Sequence, residues 1–131
     1  MKFLTHYLIT LVVFFAIDLV WLSLIAKKLY SQYLGYIMTP NVNWIAAILF
    51  YLLFIVGLLV FVIEPALANP NLGQLIFRAA LFGLVSYATY DLTNLATLKD
   101  WPINITIIDL IWGTSLSTLV SVVSVWLIGK L

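Results

Sequence analysis

The residues best placed to do chemistry are three aspartates, each embedded in an apolar run: Ile17-Asp18-Leu19-Val20-Trp21, Tyr90-Asp91-Leu92-Thr93-Asn94 and Ile108-Asp109-Leu110-Ile111-Trp112. They make up three of the chain's five acidic residues. An ionisable residue at membrane depth costs roughly 2.5 kcal/mol or more, so it faces protein or water and marks a site or a packing lock. If the three converge, desolvation and mutual repulsion disfavour full ionisation, and they titrate as a coupled group. That is the condition for a proton carrier, or for a hard-cation site built from Asp18, Asp91, Asp109, Asn94 and Thr97, although no ligand spacing here has the specificity of a known metal motif.

The elements that must position these groups follow from composition. The chain has 131 residues, 65% of them apolar and 8% charged, with a mean hydropathy of +1.17. Too little polar side-chain surface exists to cover a water-soluble globule. The expected class is an all-α polytopic membrane protein, a compact antiparallel bundle of four transmembrane helices forming a single transmembrane domain over residues 1–131. About ~20 residues cross a ~30 Å hydrocarbon core, which places the spans at about 3–26, 44–63, 75–97 and 103–128. Lys2 before an apolar run resembles a signal peptide, but Asp18 and the stretch Ala26-Lys27-Lys28 argue for a retained helix.

The connections are read from turn and cap chemistry. Tyr30, Tyr33, Leu34 and Ile37 recur at helical spacing, so a short interfacial helix follows the first span, with Tyr in the aromatic belt. Glu64-Pro65 is expected to close the second span. Asp100 is expected to cap the fourth, with Pro102 in its first turn.

Depth can be estimated from a rise of ~1.5 Å per residue. Asp18 lies nine residues before Lys27, Asp91 eight before Lys99, Asp109 seven after Pro102 and Tyr51 eight after Asn43. All four therefore fall roughly 10 to 14 Å below one membrane face. Every helix contributes a polar group to that layer. Tyr87, Tyr90, Asp91, Asn94 and Thr97 extend it as a stripe on the third helix. Asp18 with Trp21, and Asp109 with Trp112, repeat an Asp-x-x-Trp step that puts each pair on neighbouring faces. The competing reading is structural, with Asp as interhelical glue and Trp21, Trp112 and Tyr51 as packing. On the fourth helix, the small residues Thr106, Gly113, Ser117 and Ser121 suit close backbone approach, hence a central packing helix. Glu64 and Arg78 lie toward the opposite face and could pair there, with His6 nearby at the interface.

Several functions are excluded. The chain has no Cys and one His, which removes disulfides, thiol catalysis and the usual zinc or haem sites; no metal site and no cofactor are assigned. No nucleophile–base or phosphate-loop motif appears. The near-neutral balance gives no sign of nucleic-acid binding.

The segments Asp18-Leu19-Val20-Trp21-Leu22, Phe50-Tyr51, Gly57, Pro65-Ala66, Tyr87 through Asn94, Trp101-Pro102 and Asp109-Leu110-Ile111-Trp112-Gly113 resemble a family of small bacterial membrane proteins catalogued as domain of unknown function family 2177. The resemblance covers nearly the whole chain. It implies a multi-pass protein of the bacterial inner (cytoplasmic) membrane with four spans, and it supplies no activity. Basic residues divide almost evenly between the two sides, and the termini are assigned to the cytoplasm.

Three function classes follow. A proton- or cation-linked carrier would use the Asp layer for transport of a small solute, and so small a bundle would enclose a path as a homodimer or with a partner membrane protein. A lipid-binding or lipid-modifying protein would present the same layer to a lipid from the membrane, limited to acid–base chemistry. A structural subunit would use the aspartates as locks. A polar opening to the Lys99 face lined by Asp91, Asn94 and Thr97 marks the first, and a lateral opening beside an apolar groove marks the second.

Overall fold

A computed structural model describes residues 2–131 of the chain. Lipid offers the backbone no hydrogen-bond partners, so a chain this apolar satisfies its peptide groups within helices. The described residues are helical throughout apart from turns: α1 (Lys2–Trp21), α2 (Lys27–Leu34), α3 (Trp44–Leu58), α4 (Glu64–Ala68), α5 (Leu72–Thr97) and α6 (Ile103–Ile128). Two five-residue π-helical segments, Leu22–Ala26 and Leu59–Ile63, join α1 to α2 and α3 to α4. Four continuous helices result that are long and apolar enough to cross a membrane: Lys2–Leu34, Trp44–Ala68, Leu72–Thr97 and Ile103–Ile128.

The first of these is 33 residues, near 50 Å at ~1.5 Å per residue, well beyond a ~30 Å hydrocarbon core. Its last part, α2, is therefore the segment expected at the interface, and it follows the first span through a π turn rather than a loop. α2 is held by side chains: Tyr36 Oη donates to the Asp100 carbonyl at 2.5 Å, and Asn104 Nδ2 donates to Tyr33 Oη at 3.4 Å.

The second span does not stop at Glu64-Pro65. Proline lacks an N–H and crowds the preceding turn of an α-helix. Here that turn is the π segment, with the Glu64 N–H bonded to the Leu59 carbonyl, and this wider winding lets Pro65 enter the first turn of α4. Asparagines cap the next starts, Asn43 accepting from Ala46 N at 3.1 Å and Asn71 from Gln74 N at 3.0 Å. Asp100 does not cap α6. It turns the chain in the left-handed region at φ 59°, Pro102 takes the cap position without a side-chain bond, and the Trp101 indole N–H donates to Thr106 Oγ1 at 3.0 Å.

Around the bundle, α6 packs on α5 and α1, α5 on the Leu59–Ile63 segment, and α1 on both parts of the second span. α6 carries the longest series of buried residues, from Ile105 to Ile128, as its small-residue stripe implies. The tightest approach is made by glycine: a Cβ on Gly83 would lie 2.2 Å from the Gly113 carbonyl oxygen and 2.6 Å from Ser117 Cβ. Ile55, Leu58, Leu59, Ile63, Ala79, Leu116 and Val120 fill the core on the terminal side of this crossing. At that end His6 Nδ1 meets Glu64 Oε1 at 2.6 Å. Glu64 thus pairs with His6 rather than Arg78, which borders a small surface cleft with Asn69 and Gln74.

Candidate functional site: a carboxyl-lined cavity

The crossing of α5 and α6 sets the site. Gly113 has no side chain because the Tyr87 ring occupies that space: a Cβ there would sit 2.2 Å from Tyr87 Cγ. One helical turn beyond Tyr87 comes Asp91, and one turn before Gly113 comes Asp109, so the two carboxyls are brought face to face by helix periodicity. They stand within hydrogen-bonding reach of each other. Asp109 accepts a short hydrogen bond from the Tyr30 hydroxyl of α2. Side chains on a helix tilt toward its N-terminus, and Tyr30 uses that tilt to reach back into the bundle. Asp91 is fully buried, yet neither of its oxygens has a hydrogen-bond donor.

These groups line a cavity of about 530 Å³ together with Leu34, Met38, Phe50, Ser86, Tyr87 and Tyr90. Its walls come from α2, α3, α5 and α6 of one chain. α5 meets the second span through Phe82 on Phe54, ring centroids 5.3 Å apart, and along Leu59–Ile63. Toward Asn43 the two helices part. Phe50, Tyr90 and Met38, all largely exposed, stand at the rim of the cavity.

Asp18 lies in an adjoining chamber of about 180 Å³. It is buried, and Trp112 is its hydrogen-bond partner. The Trp112 ring stacks on Trp21 with centroids 4.3 Å apart and planes 10° from parallel. Tyr51 completes the wall from α3, its ring packed against Phe14 and Phe15 at 5.5 Å. Tyr30, Phe50 and Tyr87 border both chambers.

The structure thus gathers Asp18, Asp91, Asp109, Tyr51, Tyr87, Trp21 and Trp112 into one layer, but as a carboxyl pair and a single carboxyl rather than a trio. Among the described residues, no three acidic or imidazole groups lie close enough to share a metal ion, so the hard-cation set expected from the sequence is not assembled. Tyr90 sits at the rim, edge-on to Trp101 at 5.9 Å, with Asn94 beside it. Neither Asn94 nor Thr97 lines a chamber; the Thr97 hydroxyl turns back to the Thr93 carbonyl at 2.8 Å.

Sequence reading missed Tyr30, Phe50, Leu34, Met38 and Ser86. Tyr30 was assigned to the aromatic belt. Its hint was the spacing that makes α2 amphipathic, which requires one face to turn inward.

Four helices long and apolar enough to cross a membrane, packed around buried carboxyls, define an integral membrane protein. The chain belongs to the family described as "Predicted membrane protein (DUF2177)", whose model matches residues 3–126. No curated protein and no solved structure matches it.

Proposed function

We propose that this protein binds a lipid-like amphiphile drawn sideways from the bilayer, with its chain along Leu34, Met38 and Phe50 and its polar end at the carboxyls. One observation carries the reading: a largely apolar-walled cavity of about 530 Å³, with the exposed side chains of Met38, Phe50 and Tyr90 at its rim, has in its wall a fully buried carboxyl with no donor among the described residues. Buried polar groups are almost always hydrogen-bonded, and a carboxylate left without a donor is costly in a low-dielectric setting. A ligand that donates to Asp91, or a proton shared between Asp91 and Asp109, removes that deficit. The volume lies within the range of pockets that take molecules of drug or lipid-fragment size, ~300–1,000 Å³.

Solute transport is less well supported, because a path to the Lys99 face would be lined by Asn94 and Thr97, and neither borders the cavity. One chain alone supplies the cavity walls, so amphiphile binding needs no second copy. The reading places the protein in a bacterial inner membrane with cytoplasmic termini, so that the cavity faces the outer leaflet.

Photo-crosslinking tests it. With a diazirine-bearing alkyl lipid in reconstituted protein, adducts should concentrate on Leu34, Met38, Phe50 and Ser86, and Ser86→Trp, which fills the cavity, should abolish that concentration. Adducts spread evenly over the outward residues Ile45, Leu53, Leu81 and Ile111 in both proteins would refute lateral entry.

A further inference from the structure

The chamber at Asp18 has a composition of its own. Six aromatic side chains, Trp21, Tyr30, Phe50, Tyr51, Tyr87 and Trp112, surround about 180 Å³ with one carboxylate in the wall, and Leu22 completes the lining. No lysine, arginine or histidine borders this chamber or the larger one beside it. Aromatic rings attract cations through their quadrupole, and a cage of several rings with an acidic group is the arrangement that recognises alkylammonium groups. An anionic head, by contrast, would meet three carboxyls and no compensating charge.

We infer that the Asp18 chamber is a seat for an alkylammonium group, so that the amphiphile held by this protein is cationic at its polar end. The inference rests on the amphiphile reading above and names the headgroup class. Three features support it. The Trp21–Trp112 stack and the Trp112–Asp18 contact fix the positions of ring and carboxylate before any ligand arrives, which is the preorganisation that selective binding requires. The chamber and the cavity share Tyr30, Phe50 and Tyr87 as wall residues, which sets a head seat and a chain groove side by side. Asp91, whose oxygens have no hydrogen-bond partner among the described residues, lies in the adjoining wall and offers acceptors to a donating head.

The test is competition against the diazirine lipid in reconstituted protein, with dodecylammonium, a dodecyl glycerol and dodecyl sulfate as competitors of equal chain length. The ammonium compound should displace the probe about thirtyfold more effectively than the glycerol, the factor set by one desolvated cation–π contact, and the sulfate least of all. Asp18→Asn should collapse the ammonium-to-glycerol ratio toward one, and Trp21→Leu should reduce it severalfold. The second variant guards against an Asp18 change that fails to fold. Equal displacement by ammonium and glycerol, or an unchanged ratio in both variants, overturns the ammonium assignment and leaves amphiphile binding standing. Absence of any cavity-specific labelling to compete against overturns both.

Discussion

The two halves of this bundle use the same helices for opposite ends. On the terminal side, the helices meet over Ile55, Leu58, Leu59, Ile63 and Val120, all fully buried. On the side of the Lys27 and Lys99 turns the same helices part, and aromatic rings and carboxyls border two chambers. Dense packing in one half fixes the helix axes, so the other can keep open space at a geometry that packing does not enforce locally. Both halves bury polar atoms without partners, the Ser117, Ser121 and Ser124 hydroxyls in the packed half and the Asp91 carboxyl in the other, but only Asp91 borders a chamber.

Phenylalanine gives the sharpest contrast. Phe54 is 5% exposed and Phe50, one turn away on α3, is 49% exposed. Phe54→Ala should cost about 3–5 kcal/mol of stability, as large-to-small changes in packed cores do. Phe50→Ala should cost under ~1 kcal/mol, as for an exposed position, and should still weaken lipid labelling of the cavity. Chemical unfolding in mixed micelles separates the two. Equal losses would mean that the carboxyl half is packed as tightly as the other.

Glycine carries the comparison to the boundary between halves. An alanine at Gly83 drives its Cβ into the Gly113 carbonyl, which cannot step aside, whereas at Gly57 it meets only the end of the Phe82 ring at 2.8 Å. Gly83→Ala should destabilise by about 1–3 kcal/mol or more and spread α5 from α6, disturbing the Asp91–Asp109 pair. Gly57→Ala should be the milder change by melting temperature, because Phe82 can rotate. The reverse order would place the fulcrum of the bundle at the second span.

At Asp91 the sign of the effect is the test. If its carboxylate is kept for a ligand, Asp91→Leu should raise the stability of the ligand-free protein by roughly 1–3 kcal/mol, the penalty of a buried group without a partner, while abolishing cavity labelling. A site held against stability has this signature. A loss of stability of similar size would instead make Asp91 interhelical glue.

How far the sequence foretold this contrast differs by element. The four spans followed from apolar run length, which depends on the local chain alone. Which side of a helix turns inward depends on its neighbours. Asn94 and Thr97 share a stripe with Asp91, yet the stripe leaves the bundle after Asp91: Asn94 is half-buried and Thr97, at the end of α5, is exposed. Pro65 did not end its helix because a π turn precedes it, a winding with no residue signature. The pairing of Glu64 with His6 rather than Arg78 depends on the rotation of α1 against the second span, which only tertiary packing sets.

The smallest expected effects compare the His6–Glu64 contact of the terminal half with the tyrosine bond of the carboxyl half. His6 and Glu64 meet at 2.6 Å, but the Glu64 side chain is 36% exposed, so water and salt screen the pair. A double-mutant cycle with His6→Asn and Glu64→Gln should give a coupling of about 0–1 kcal/mol. Tyr30→Phe against Asp109→Asn should give about 0.6 kcal/mol, and at most ~2, the range for polar bonds between helices in a membrane. The two numbers overlap, so their ligand dependence decides. Coupling between Tyr30 and Asp109 should change when a cationic amphiphile occupies the cavity, because Tyr30 borders both chambers, and coupling between His6 and Glu64 should not. If both cycles ignore the amphiphile, the two halves differ in packing alone, and Tyr30 is a strut between α2 and α6 rather than part of a binding wall.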